Sequence, residues 1–121
     1  MHTIRDEQFE LLERVRIEDF LVRHVVKFFP EQCAALGPEG TVQTVRDGLA
    51  DAARHGLQDS LDECAYVDVM FLFGRGFATD PRLPWARAAL GAAVGEPPGT
   101  RGARLYAAAM EELERMVRAG A

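Results

Sequence analysis

The stretch "SLDECAYVDVMFLFG", residues 60–74, decides the fold class. Taken alone, Val67–Phe73 ("VDVMFLF") is apolar and branched enough to pass for a buried strand. Its borders argue otherwise. Ser60, followed three residues later by Glu63, has the form of a capping box that opens a helix. Gly74 is the natural residue to close one. Read as a helix, this segment removes the last candidate strand from the chain.

Working outward, helices follow in both directions. Upstream, Thr41 is read as the cap of a helix carrying Val42, Val45, Leu49 and Ala52 on one face, ended by Gly56. Before it, "PEQCAALG" (30–37) reads as a short helix with Pro30 in its first turn and Gly37 past its end, and "GPEG" (37–40) as a loop. The first helix opens at Thr3, with Asp6 as its capping-box partner, and stops at Phe29 because Pro30 disfavours α geometry just before it. Its apolar stripe is Ile17, Phe20, Leu21, Val25 and Phe28. Downstream, a short helix is expected from Pro84 to Val94, then an exposed linker, "GEPPGT" (95–100). A last helix opens at Thr100 with Leu105, Ala109, Leu113, Met116 and Val117 on one stripe. The expected fold is an all-α, single-domain bundle (1–121) of five or six helices, with a structured turn at residues 74–84.

Composition bounds the function. The chain has 121 residues, 48% of them apolar and 27% charged, which fits one globular domain. No apolar run reaches the roughly 18 residues of a membrane span. The opening "MHTIRDEQFELLER" is too charged for a signal peptide, so a cytoplasmic protein is expected. The net charge of −5, from 19 acidic and 14 basic side chains, argues against a nucleic-acid binder. Arginine supplies all the basic side chains except Lys27, which with the many alanines points to a GC-rich genome. Cys33 and Cys64 stand 31 residues apart, a spacing that suits neither a disulfide framework nor a zinc site. Both fall on apolar helical faces and are expected to be buried and reduced.

The least helical stretch is "GRGFATDPRLPWARAAL", residues 74–90. Gly74 and Gly76 allow positive φ, so the chain can leave the preceding helix sharply. Phe77, Leu83 and Trp85 are apolar anchors for the turn, and Pro81 and Pro84 fix its backbone. Asp80 before Pro81 reads as a turn starter or as the cap of the next helix. Turn chemistry explains every one of these residue types. The same stretch also presents Arg75, Asp80, Arg82 and Trp85, and Trp and Arg are the types most enriched at interface hot spots.

No catalytic constellation emerges. Ser60, the only serine, is accounted for as a cap. His24 lies on an apolar stripe and reads as a boundary histidine, and His55 suits the C-terminal end of a helix, where a cation is favoured. A metal site from His24, His55, Cys33 and Cys64 lacks the short spacings such sites use. Gly74-x-Gly76 lacks the third glycine and the strand of a dinucleotide fingerprint. Asp68 shares a helix face with Leu61, Cys64, Ala65 and Leu72, so its carboxylate needs partners. Anchoring, through Arg75 or the amides of the Gly-Arg-Gly turn, is the first reading, exposure the second and acid–base chemistry the third.

Residues 66–90, "YVDVMFLFGRGFATDPRLPWARAAL", resemble a set of small bacterial proteins that accompany type VI secretion and toxin-delivery gene clusters. The pattern is carried by Tyr66, Val69, Met70, Phe71, Gly74, Phe77, Asp80, Pro81, Leu83, Pro84, Trp85 and Ala86. The preceding "GLADAARHGLQDS" is similar to the helix before the motif in those proteins. The likeness covers about half the chain. It implies association with a secretion apparatus or its cargo, and no defined chemistry.

The expectation is therefore a non-enzymatic adaptor, chaperone or inhibitor without a cofactor. Its partner is another protein, a secreted effector or a component of the apparatus, with no role for nucleic acid or membrane; self-association is compatible with the same reading. The alternative is a small helical enzyme or ligand or metal binder with a pocket near Asp68, His24 and Trp85.

Overall fold

A computed structural model describes residues 4–91 and 95–120, except for the side chains of Ile4 and Asp6. Among them stand five α-helices: α1 (Ile4–Phe28), α2 (Pro30–Arg54), α3 (Ser60–Phe73), α4 (Pro84–Leu90) and α5 (Thr100–Gly120). One 3-10 turn (Phe77–Thr79) lies between α3 and α4, and no strand occurs among the described residues. The all-α expectation holds, and residues 60–73 are helical as their borders require. The short helix ends at Leu90, with Gly91 as its C-cap, before the expected Val94, and the expected Thr3–Asp6 cap lies outside the described residues.

The chain divides into two compact units, residues 1–47 and 48–121, with α2 running through the division. In the first unit α1 and α2 are joined at Phe29. Leu21 and Val25 of α1 and Cys33, Thr41 and Val45 of α2 are buried. Arg46 Nε donates to Glu18 Oε1 at 2.9 Å. The expected stripe of α1 is only partly a core face: Phe20 and Phe28 are exposed, and Ile17 is half-buried.

The expected end of the short helix at Gly37 is there, but the loop expected over 37–40 shrinks to that one residue, and two helical runs meet across a kink. Gly37 sits at φ 76°, ψ 169°, which breaks the helical run, and Pro38 removes a backbone donor. The helix resumes at once, since Pro38 suits a first helical position, and the buried Thr41 hydroxyl bonds back towards the break. It lies 2.8 Å from the Gly37 carbonyl and 3.4 Å from that of Cys33. Thr41 is thus an interior residue that bridges a kink, not an N-cap.

The second unit is built on α3 and α5, with α4 also packed on α5. Tyr66, Val67, Val69, Met70 and Phe71 of α3 meet a core that includes Leu57, Phe77, Ala86, Leu90, Leu105 and Ala109. The start of α3 is capped one residue earlier than expected. Asp59 is the N-cap, its Oδ1 accepting from the Leu61 amide at 2.9 Å, so Ser60 is the first helical residue. The stripe of α5 fades along the helix: Leu105 and Ala109 are fully buried, while Met116 and Val117 are exposed.

One carboxylate ties this unit together. Asp62 of α3 is buried, and its Oδ1 accepts from the Gly102 amide at 2.8 Å while Oδ2 accepts from that of Gly99 at 3.3 Å. The free amides of the first turn of α5 are served by a side chain from another helix, where the helix dipole favours negative charge. The contact is close: a Cβ at Gly102 would lie 2.8 Å from the Asp62 Cα and 3.2 Å from the Ala65 Cβ. Two arginines of α5 do the reverse for helix C-termini. Arg101 donates to the carbonyls of His55 and Gly56 beyond α2, and Arg104 to those of Ala89 and Gly91 around the end of α4. Arg104 also pairs with Glu96, which pins the expected linker 95–100 to α5.

Candidate functional site

The segment after α3 forms the structured turn that its residues foretell. Gly74 (φ 100°) carries the chain out of α3, and its amide donates to the Met70 carbonyl at 2.8 Å. Gly76 is left-handed at φ 81°, ψ 7°, and opens the 3-10 turn. Phe77 is fully buried with its ring 4.8 Å from that of Tyr66. Trp85 is half-buried and meets Phe73 edge-on at 4.9 Å. Its indole nitrogen is buried, with no hydrogen-bond partner. Leu83 is half-buried, and Pro81 and Pro84 are exposed.

Asp80 does not cap α4. The N-cap there is Leu83, which makes no side-chain cap bond. Instead Asp80 holds Arg82. Its Oδ1 accepts from the Arg82 amide at 2.9 Å and from Nε at 3.2 Å, and its Oδ2 accepts from Nη2 at 2.9 Å. The two-pronged bond from Arg82 holds the Asp80 carboxyl below its usual range and raises the guanidinium in turn. The pair is thus presented outward in one geometry, although the side chain of Arg82 is 87% exposed. Arg75 is exposed as well.

The outer side of this turn is concave. A hollow of about 420 Å³ is lined by Ala78, Thr79, Asp80, Pro81, Pro84, Arg87 and Ala88. A second, of about 410 Å³, shares Ala78, Thr79 and Arg87 and adds His55, Leu90 and Gly91. Sequence reasoning did not single out Arg87 or Thr79. Arg87 falls three residues after Pro84, so the short helix α4 sets it beside Pro84 on one face.

The other expected residues fall elsewhere. Asp68 is half-buried on the less covered face of α3, where Leu61 is exposed and Cys64, Ala65 and Leu72 are half-buried. The buried acid of α3 is Asp62. Cys33 is buried as expected, but Cys64 is only half-buried. Burial and the charges of Asp68, Glu63 and Asp59 push its thiol up to about 11. His24, in the first unit, lies between Phe20 and Phe28, with ring centroids 6.0 and 4.8 Å away. His55 leans on Tyr66 at 5.8 Å. Burial, with a smaller effect from Asp51, raises the Tyr66 hydroxyl to about 12. Among the described residues no three His, Cys, Asp or Glu side chains are grouped to hold a metal ion, and no helix is long and apolar enough to cross a membrane. Comparison of the chain with known protein families, characterised proteins and solved structures finds no match.

Proposed function

We propose that this chain is a non-catalytic binding protein (an adaptor, chaperone or inhibitor) whose partner is another protein held on the outer side of the turn at residues 74–88. The observation that carries the reading is the Asp80–Arg82 fork beside a hollow of about 420 Å³ that Arg87 also lines. Such a surface suits recognition because its polar groups are ordered before the partner arrives, which lowers the entropic cost of binding. Arginines fixed in this way offer planar, directional donors to carboxylates or carbonyls. The likeness of residues 66–90 to companions of type VI secretion and toxin-delivery clusters supports a place beside that machinery. A secreted effector or a component of the apparatus would then be the partner, met in the cytoplasm.

Capture from the native host tests this reading. Wild-type protein and a triple variant, Arg75→Ala, Arg82→Ala and Arg87→Ala, are compared as baits at equal load. The expected result is one protein retained in stoichiometric amount by wild type and lost from a variant that melts like wild type. Equal retention by the variant, or no retained protein with wild type, overturns it.

A further inference from the structure

The first unit carries a surface that the turn reading leaves unused. Every described side chain from Arg5 to Arg16 is exposed, Phe9, Leu11, Leu12 and Val15 among them. A helical segment of about 12 residues is marginal in water without packing. Leu12, Val15, Asp19, Val22, Val26 and Phe29 recur at alternating steps of three and four, the spacing of a helix-pairing seam. Leu12, Val15 and Val26 are 47%, 56% and 49% exposed. Val22 and Val26 also open onto an apolar hollow of about 450 Å³, completed by Pro30, Cys33, Pro38 and Val42 of the same unit.

We infer that this seam pairs with the seam of a second copy of the chain, in an antiparallel, two-fold dimer of α1 helices. One chain carries both the projecting apolar helix and the groove that such a helix fills. A two-fold axis satisfies each with the other's counterpart, because an isologous contact uses the same patch on both copies. The register follows from the spacing. Pairing Leu12 with Phe29 of the second copy sets Val15 opposite Val26 and Asp19 opposite Val22, and the reciprocal contacts repeat on the far side of the axis. The paired stretch, α1 from Leu12 to its end and Phe29 just beyond, is about 26 Å long on each copy. With the residues that line the groove it forms the apolar centre of the contact, and the charged flanks of α1 form its rim.

The charge pattern agrees. Asp19 is the one ionisable residue among the six seam positions, and its Oδ2 already lies 3.0 Å from Arg23 Nη2. In the antiparallel register Arg23 stands next to the level of Asp19 of the second copy, on the same flank of the seam. The single seam carboxylate therefore keeps a cation beside it when the seam closes.

The inference stands apart from the turn, and its test separates the two. Sedimentation equilibrium of wild type at micromolar concentration should give twice the 13.4 kDa chain mass. Leu12→Glu with Val15→Glu should give the single-chain mass, whereas Phe20→Glu, exposed on α1 but off the seam, should leave the dimer intact. A gentler pair, Val15→Cys with Val26→Cys, should form a covalent dimer on mild oxidation while wild type does not. Wild type sedimenting as a single chain overturns the proposal. So does a seam variant that remains dimeric, or a cysteine pair that gives no covalent dimer. None of these outcomes bears on partner capture by the turn.

Discussion

Replacing Asp62 with Ala removes a side chain that serves the start of α5 from outside that helix. Two amides lose their acceptor, and they are not equivalent. The Gly102 amide bonds Oδ1 at 2.8 Å in a buried setting, so its loss leaves an unsatisfied buried donor. That costs about 1–3 kcal/mol. The Gly99 amide is only partly buried and bonds at 3.3 Å, so water replaces much of what it loses, and its share is about 0.5 kcal/mol. Losing the negative charge at the helix start adds about 0.5 kcal/mol. Against this, Ala is a better helix former than Asp by about 0.6 kcal/mol. The balance is a loss of about 2 kcal/mol, or roughly 6–10 °C in Tm for a chain of this length.

Thermal and urea unfolding followed by far-ultraviolet circular dichroism measure that loss. Asp62→Asn is the control: it keeps an oxygen for Gly102 while giving up the charge and the acceptor for Gly99, and should cost about half as much. Gly102→Ala attacks the same contact from the other side, since its methyl would meet the backbone of Asp62 at 2.8 Å. Its effect should not add to that of Asp62→Ala, because both break one junction. An Asp62→Ala protein within about 0.5 kcal/mol of wild type would refute the reasoning, as that is the range of an ordinary surface change.

The remaining expectations concern the turn and the thiols. Trp85→Ala should destabilise by about 3 kcal/mol, whereas Trp85→Phe should cost less than half of that, because it keeps a ring against Phe73 and removes a buried donor without a partner; equal losses in chemical denaturation would contradict this. Cys64, with its thiol raised to about 11, should react far more slowly at pH 8 than a free thiol, and Cys33 should label only on unfolding; a native-state time course with a chromogenic disulfide checks both. Asp80 titrates below its unfolded value because Arg82 holds its charged form, so the stability it contributes is present above the ordinary carboxylate range and is lost as pH falls through the lowered value. The carboxylate resonance of Asp80, followed by NMR from pH 6 to pH 2, should have its midpoint below that of a free aspartate in wild type and should move up in Arg82→Ala; an unmoved midpoint would contradict the pairing.

What the sequence made legible, and what it hid, divides along the range of the interactions involved. Local chemistry was readable. Gly74 and Gly76 were expected at positive φ because so little else suits such a turn, and Phe77 was expected inward as the large apolar residue that follows them. Where two local candidates competed, the choice slipped by one residue or one role: Asp59 took the cap expected of Ser60, and Asp80 turned to Arg82 instead of α4. Pro38 and Gly37 marked a break, but only the structure shows that the helix resumes directly after it. Asp62 was out of reach for a different reason. Its partners lie 37 and 40 residues away, and nothing in its own neighbourhood distinguishes it from Asp68, which also sits among apolar residues of α3. The trace it leaves is in α5, where Gly99 and Gly102 bracket a helix start. A glycine within a first turn costs helix propensity of about 1 kcal/mol, so its presence there points to a backbone that another element must approach. The acid that makes that approach had to come from a helix whose buried face was still unknown. The same limit explains α1: its periodicity marks Leu21 and Val25 as well as Leu12, Val15 and Val26, and only packing separates the face that the chain covers from the face it leaves exposed.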